Sequence, residues 1–267
     1  MSTNLPKISI VTPSYNQGRY LEQTILSVLG QQYPNLEYII MDGGSSDNSV
    51  EIIERYADKL AYWQSKPDHG QADAIAKGFE MATGEILGWL NSDDFLMPGC
   101  LSIVASKFPR ENSTVALAGR IVFINPDSRP LTVGLPKRRT WKNMLLWGHG
   151  LPQMATFWTR EAYLHAGGLD TSLQFSFDAD LFVKLRRIGE IAITSDYLAA
   201  FRLHPGSKTS TMQKIARTEE QLILERYGKG SFSFISRIVR RVRLYNRIKN
   251  RLTWERDKAK LREILFS

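Results

Sequence analysis

The sequence predicts an α/β fold, a mostly parallel β-sheet with helices on both faces. Three observations lead there. Short apolar, β-branched runs alternate with stretches whose apolar residues recur every three or four positions. The runs are apolar throughout, the pattern of strands covered on both faces. One of them, Glu85-Ile86-Leu87-Gly88-Trp89-Leu90-Asn91-Ser92-Asp93-Asp94, closes on two adjacent carboxylates. Ligands of such sheets bind beyond the carboxyl ends of the strands, so loops 13–18, 42–47 and 91–95 are expected on one rim.

Taken in order, residues 8–12 form a first strand, closed by Pro13-Ser14-Tyr15-Asn16. Leu21, Ile25, Val28 and Leu29 make a helical face, broken at Gly30 and Pro34. Residues 38–41 read as a second buried strand ending in Asp42-Gly43-Gly44-Ser45-Ser46-Asp47. Asn48 with Glu51 three residues on resembles a capping box ahead of Ile52, Ile53 and Tyr56. A short third strand is expected near 60–64. Ala72, Ile75, Ala76 and Phe79 line another helix, ended at Gly84, and the acid-tipped strand follows. Residues 110–200 read as less regular, with a Pro/Arg-rich stretch at 125–139 and a helix starting near Asp178. A soft boundary near 227–230 divides a body, 1–227, from a tail, 228–267.

A chain of 267 residues can bury a sizeable core, and 43% hydrophobic with 23% charged residues is ordinary for a globular protein. The single cysteine, Cys100, excludes an internal disulfide and a thiolate metal cluster. No apolar run approaches the roughly 18 residues of a membrane span, and the polar residues 1–7 do not read as a signal peptide. A cytoplasmic location is therefore expected. The charge is uneven: residues 228–267 hold 12 of the 35 Lys/Arg and 3 of the 27 Asp/Glu, a net of +9, which leaves 1–227 at −1. The basic balance describes the tail's partner rather than the body's.

Two common nucleotide motifs are absent. No P-loop with a Lys-Ser/Thr ending occurs, and Asp42-Gly43-Gly44 follows the second strand instead of opening the first helix. A cation bridge is the remaining way to neutralise a diphosphate. Asp93 and Asp94, beyond so apolar a run, suit that task better than a solvated turn. Asp42 and Asp47 read equally well as caps for the helix that follows.

Four motifs in order, Thr12-Pro13-Ser14-Tyr15-Asn16, Asp42-Gly43-Gly44-Ser45-Ser46-Asp47, Gly70-Gln71-Ala72-Asp73-Ala74 and Asn91-Ser92-Asp93-Asp94, resemble the family 2 glycosyltransferases over roughly residues 7–210. These are inverting, nucleotide-sugar-dependent enzymes with a GT-A fold. The resemblance implies that Thr12, Pro13, Ser14, Tyr15 and Asn16 line the nucleotide, with Tyr15 or its neighbours against the base. It implies that Asp42 accepts a hydrogen bond from the base and that Gln71 and Asp73 border the pocket. Asn91, Ser92 and Asp93 would contact the donor, and Asp93 would ligate Mn²⁺ or Mg²⁺, with Asp94 beside it. Asn91 departs from the family's commoner acidic first position, which leaves any sugar or ribose contact there in question.

Inverting transfer needs a base for the acceptor hydroxyl. Asp178, in Phe177-Asp178-Ala179-Asp180-Leu181, aligns with the family's base, although Phe177 stands where an acid is usual; the competing reading is a helix N-cap. Asp180 is expected to support the helix start or to border the acceptor. The late segment Phe201-Arg202-Leu203-His204-Pro205-Gly206-Ser207-Lys208 resembles a loop that closes over the diphosphate, with His204 on the cation and Arg202 or Lys208 on phosphate. His149, between two glycines, is placed toward the acceptor. A UDP-sugar is the expected donor, and a glycan or polyprenyl-diphosphate-linked glycan the expected acceptor, in bacterial surface-polysaccharide assembly.

In the tail, Ile235, Ile238, Val239, Val242, Tyr245, Ile248 and Leu252 make a helical stripe between arginines. That pattern suits an amphipathic helix on an anionic membrane surface, or equally a helix packed on its own domain or a second subunit. Two other functions compete. A nucleotidyltransferase would want a basic, Gly-rich phosphate loop that 13–18 lacks. A nucleic-acid module would want aromatics interleaved with the tail's charge, so no nucleic acid is expected as a partner.

Overall fold

The structure is a computed structural model that describes residues 5–108 and 113–228. Residues 229–267, and with them the expectation of an amphipathic tail, lie outside the described residues. Up to the acid-tipped strand the elements follow the expected order: β1 Ile8–Ser14, α1 Gly18–Leu29, β2 Leu36–Asp42, α2 Ser49–Glu54, β3 Tyr62–Ser65, α3 Gln71–Met81 and β4 Ile86–Trp89. Next come β5 Phe95–Leu96, α4 Cys100–Lys107, β6 Thr114–Ile124, β7 Pro130–Gly134, α5 Trp141–Trp147, β8 Thr156–Thr159 and α6 Arg160–His165. The last elements are α7 Phe177–Ile188, β9 Glu190–Arg202, α8 Lys208–Thr211 and α9 Gln213–Tyr227. Among the described residues no helix is long and apolar enough to cross a membrane.

Among these residues the strands form one sheet in the order β3-β2-β1-β4-β8-β6-β9-β5, with β7 paired to β6. The half β3-β2-β1-β4 is wholly parallel. β8 runs antiparallel between β4 and β6, and β6 returns to parallel pairing with β9. The carboxyl ends of β1, β2 and β4 therefore open on one edge.

Alternate residues of each strand feed opposite layers. Ile8, Ile10, Tyr38 and Ile40 pack with Leu21, Ile25 and Val28 of α1, Ile52 and Ile53 of α2, and Leu101 and Val104 of α4. Val11, Ile39 and Met41 pack on the other side with Ala74, Ile75 and Phe79 of α3 and with Leu181, Phe182 and Leu185 of α7. Each fully enclosed aliphatic side chain stabilises the fold by about 1.5–3 kcal/mol. Gly78 lets α3 lie close on the sheet, since a Cβ there would fall 2.5 Å from Val11 Cγ1.

Two expectations need correction. The capping box at Asn48 and Glu51 does not form, and Asn48 makes no side-chain capping bond. Asp47 takes that place, its Oδ1 accepting from the Ser49 N–H at 3.0 Å and its Oδ2 from the Gly18 N–H at 2.9 Å, so one carboxylate serves two helix starts. The region 110–200 is not irregular: it holds β6 and β9, of 11 and 13 residues. Their pairing shifts register at Thr114/Ala116, Ala118/Arg120 and Arg120/Ile121. Each shift interrupts the alternation by which a strand is read from sequence.

On the edge away from the loops, the buried Glu37 carboxylate joins β1, β2 and the turn before β4. It accepts from Ser9 Oγ at 2.6 Å and from the Thr83 N–H at 2.7 Å, and pairs with Lys7 Nζ at 2.6 Å. Burial pushes its pKa up, but these donors outweigh burial and hold it at about 2. A folded pKa below the unfolded one, about 4.3, adds stability above pH 4 that is lost as pH falls toward 2. Glu37→Gln should therefore lower stability at pH 7 by about 1.5–3 kcal/mol, and its denaturation midpoint should converge on that of the parent chain near pH 2. Parallel midpoints from pH 7 to pH 2.5 would contradict the assignment.

Candidate active site

The first two loops are laced to each other before any ligand arrives. The Gly43 N–H donates to Ser14 O at 2.8 Å, the Asn16 N–H to Ser45 Oγ at 2.8 Å, and the Ser46 N–H to Asn16 Oδ1 at 2.9 Å. This lacing turns several expected contacts inward. Thr12 is fully buried, with Oγ1 3.0 Å from Tyr38 OH, and Pro13 and Ser14 are enclosed beside it. Asp42 is buried too, and its carboxylate accepts from the Gly44 and Ser45 N–H groups and from the Ser45 and Ser65 hydroxyls. Its Oδ2 takes three of these bonds and its Oδ1 one, so the carboxylate braces its own loop against β3. What faces outward is Tyr15, 63% exposed, with Asn16 next to it.

The acid-tipped turn divides into an outward and an inward half. Asn91 stands at the rim, its Oδ1 accepting from Gln71 Nε2 at 2.7 Å while Gln153 Oε1 lies 3.4 Å from its Nδ2. Ser92 is buried, and the Ser92 and Asp94 carbonyls both accept from Thr24 Oγ1 of α1. Asp94 is also buried; its Oδ1 accepts from the Arg202 N–H at 2.9 Å, and its Oδ2 has no protein partner. Burial, with Asp93 beside it, pushes the Asp94 carboxyl well above the usual carboxylate range. The Asp94 carboxyl thus lies within the turn, away from the exposed rim.

Arg202 departs furthest from expectation. Only 1% exposed, it sits under the turn and not over a phosphate. Its Nε donates to Asp93 O at 2.8 Å, its Nη1 to Pro126 O at 2.9 Å and to Ser128 Oγ at 3.0 Å, and its Nη2 to Gln23 Oε1 at 2.5 Å. The guanidinium lies 4.6 Å from the Tyr20 ring centroid, and the His204 ring lies 5.1 Å from the same ring. This stack sets the imidazole beside Asp93, with His204 Nε2 3.0 Å from Asp93 Oδ2. Lys208, in the same late segment, donates from Nζ to Gln174 O at 3.2 Å.

The second acidic group lies at the start of α7. Asp178 is partly exposed, its Oδ1 accepting from the Ala179 N–H at 2.7 Å and its Oδ2 3.6 Å from His149 Nε2. Phe177, where an acid is usual, is buried with its ring 5.8 Å from Trp89 at the end of β4. That contact seats α7 against the strand leading to Asp93. Asp180 is wholly buried and cannot reach an acceptor: Arg226 Nη1 and Tyr227 OH donate to its Oδ1 at 2.9 and 2.8 Å, and Lys184 Nζ lies 2.7 Å from its Oδ2. Asp73 is turned back on its own helix, where bonds from Lys77 Nζ and the His69 N–H outweigh burial and lower its pKa.

Three participants escape a sequence reading. Asp68, after β3, lies on the same rim: a Cβ on Gly43 would fall 2.9 Å from its Oδ2 and 3.3 Å from Tyr15 Cδ2. The Pro67-Asp68 turn after a parallel strand was the available signal. Gln153 links Asn91 to the Trp89 carbonyl, to which it donates at 2.7 Å. The Glu219 carboxylate accepts from the Gln174, Phe175 and Ser176 N–H groups, so a side chain of α9 caps α7 from outside. No local pattern foretells that bond.

No group of three or more metal-ligating His, Cys, Asp or Glu side chains occurs among the described residues. The adjacent Asp93 and His204 fit an Mn²⁺- or Mg²⁺-type ion that takes its other ligands from water and from substrate phosphate oxygens. They do not make an all-protein cage.

The fold has counterparts among solved structures. One of Staphylococcus aureus TarS residues 1–349 with UDP-GlcNAc superposes with a TM-score of 0.63 at 18% identity, covering 83% of this chain and 71% of that one. The mannosyltransferase PcManGT from Pyrobaculum calidifontis, in complex with GDP-Man and Mn²⁺, gives 0.62 at 18% identity over 89% and 69%. The fold is that of the GT-A glycosyltransferases. Residues 9–159 match the model of glycosyl transferase family 2, and the chain belongs to that family. An uncharacterized glycosyltransferase of Haemophilus influenzae is 31% identical over 213 residues, covering 72% of this chain and 84% of the relative.

Asp94→Asn separates a supporting acid from a ligand. A buried acid with a raised pKa favours the folded state when protonated, so stability is lost as pH rises above the unfolded value, about 3.9. The amide removes that loss: the melting temperature of Asp94→Asn relative to the parent should climb as pH rises above about 4, with nucleotide binding kept. A pH-independent difference together with lost nucleotide binding would return Asp94 to the ligand set.

Proposed function

We propose that this glycosyltransferase moves a sugar, with inversion, from a nucleoside diphosphate sugar to a hydroxyl of a glycan or lipid-linked glycan. The observation that carries the reading is the pairing of Asp93 Oδ2 and His204 Nε2 at 3.0 Å beyond the carboxyl end of β4. Two donors from separate elements converge there, and Arg202 fixes both. When bound between them, Mn²⁺ or Mg²⁺ would draw negative charge from the departing diphosphate. Tyr15 and Asn16 offer a face and a polar edge to the nucleotide, Gln71 and Asn91 border the sugar, and the two remaining N–H groups of Lys208 are available to phosphate. Asp178 is the base: its Oδ2 takes the acceptor proton while its Oδ1 stays on the Ala179 N–H. Support for the donor class comes from the UDP-GlcNAc and GDP-Man bound by the two structural neighbours.

Melting temperatures with UDP-GlcNAc and GDP-mannose, each with and without Mn²⁺, test donor and metal together. One donor should stabilise the chain by several degrees only when Mn²⁺ is present, because a ligand that binds the folded state alone raises its stability. Asp93→Asn should abolish that shift; Asp178→Asn should keep it while losing about 10²–10⁴ in nucleotide release. A shift indifferent to Mn²⁺ would remove the metal from the reading.

The reaction also has an expected place, the cytoplasmic face of a membrane where surface polysaccharide is assembled. The support is the net +9 carried by residues 228–267, a charge suited to anionic lipid. Flotation with vesicles of phosphatidylglycerol should carry the full chain, and pure phosphatidylcholine should not. Equal recovery from both would sink the membrane part while leaving the transfer reaction standing.

A further inference from the structure

His149 is held with more care than a surface histidine needs. Gly148 and Gly150, on either side, have φ of +79° and +70°, a conformation that favours glycine. Arg139 Nη1 donates to the carbonyls of Trp147 and Gly148, and the Lys137 N–H donates to Gly150 O at 2.8 Å, so the loop is fixed on both sides of the imidazole. The ring lies 5.2 Å from the Phe182 ring of α7. The Leu151 N–H donates to His149 Nδ1 at 3.2 Å. A nitrogen that accepts carries no proton in the neutral ring, so the proton sits on Nε2. Nε2 faces Asp178 Oδ2 across 3.6 Å, with both side chains about one-quarter exposed.

That gap is too long for a direct hydrogen bond and short enough for one hydroxyl oxygen to touch both groups. We infer that His149 and Asp178 form a two-point clamp for the acceptor hydroxyl: Nε2–H donates to the acceptor oxygen, and Oδ2 accepts its proton. The inference rests on Asp178 being the base. One lone pair of the acceptor oxygen is taken by His149, which leaves the other directed at the sugar. As that oxygen bonds to the anomeric carbon, the bond from the carbon to the diphosphate oxygen breaks and its electrons leave with the nucleotide. The acceptor proton passes to Asp178 Oδ2, and His149 keeps its own. His149 thus touches the substrate and fixes its angle of attack. Arg139 and Lys137, from the loop before α5, act on the backbone on either side of the imidazole.

The tautomer gives a readout independent of turnover. In ¹⁵N-histidine spectra of the full chain, which has four histidines, the resonance lost in His149→Gln should show an Nε2-protonated neutral ring at pH 8. A ring protonated on Nδ1 would overturn the clamp. Nucleotide release from UDP-GlcNAc or GDP-mannose, with water as acceptor, gives the second arm. His149→Ala and His149→Phe should each lose about 10²-fold through misplacement of the acceptor at an unchanged donor KM. His149→Gln, whose amide can donate from the same place, should recover at least a tenth of the parent rate. Rescue by Phe and not by Gln would mean that the ring only packs on Phe182, and the inference would fail. Undiminished release in Asp178→Asn would remove the base instead, a different result that leaves the tautomer unchanged.

Discussion

The site depends on one buried guanidinium. Arg202 enters from the last strand, lies under the turn that follows β4, and supplies donors to carbonyls and side chains from three other segments of the chain. A turn carrying adjacent carboxylates has reason to open, because like charges repel and a buried acid loses its water. Arg202 places positive charge beneath it and satisfies its backbone, while the Tyr20 ring hands the order on to His204. Truncating Arg202 would leave several buried acceptors unpaired, at about 1–3 kcal/mol each, so this residue bears on folding and on the placing of Asp93 and His204 at once. Asp93 is free to face outward because Asp94 and Arg202 face inward.

The head of α7, with Asp178, is placed by a second set of contacts that starts from the same strand end. Trp89 closes β4, packs on Phe177 at the head of α7, and gives its carbonyl to Gln153, which borders Asn91. Glu219 of α9 caps the same head from outside, and Lys208 of the late segment donates to Gln174 in the loop just before it. The Asp93 turn and the Asp178 end of α7 are thereby referred to one strand end, an arrangement that would suit a transfer needing reacting atoms held about 3–3.5 Å apart in line.

Much of this edge was legible in the residues. Continuous apolar runs marked β1, β2 and β4 because strands covered on both faces tolerate nothing else, and their loops had to meet on one rim. Asp93 lies beside His204, and Asp178 beside His149, pairings between distant parts of the chain that the residues alone do not reveal. The misreadings share a cause. Arg202 and Asp94 have the composition of phosphate and metal ligands, and the same groups serve equally well beneath a turn; only distant partners such as Gln23 decide between the two. Asp42 was open to both uses, and its neighbouring serines claimed it. β6 and β9 were illegible because shifted register removes the alternation that betrays a strand.

With a divalent cation, Asp93 and His204 would supply only part of a coordination shell, which the nucleotide diphosphate would complete. Such a site binds its two ligands interdependently, each tightening the other by the same factor. Calorimetric titration of Mn²⁺ into the chain, alone and with saturating UDP or GDP, measures that factor directly. The account predicts weak Mn²⁺ binding alone and at least tenfold tighter binding with one of the two nucleotides, and loss of the difference in Asp93→Asn. Equal Mn²⁺ affinity with and without either nucleotide would contradict it.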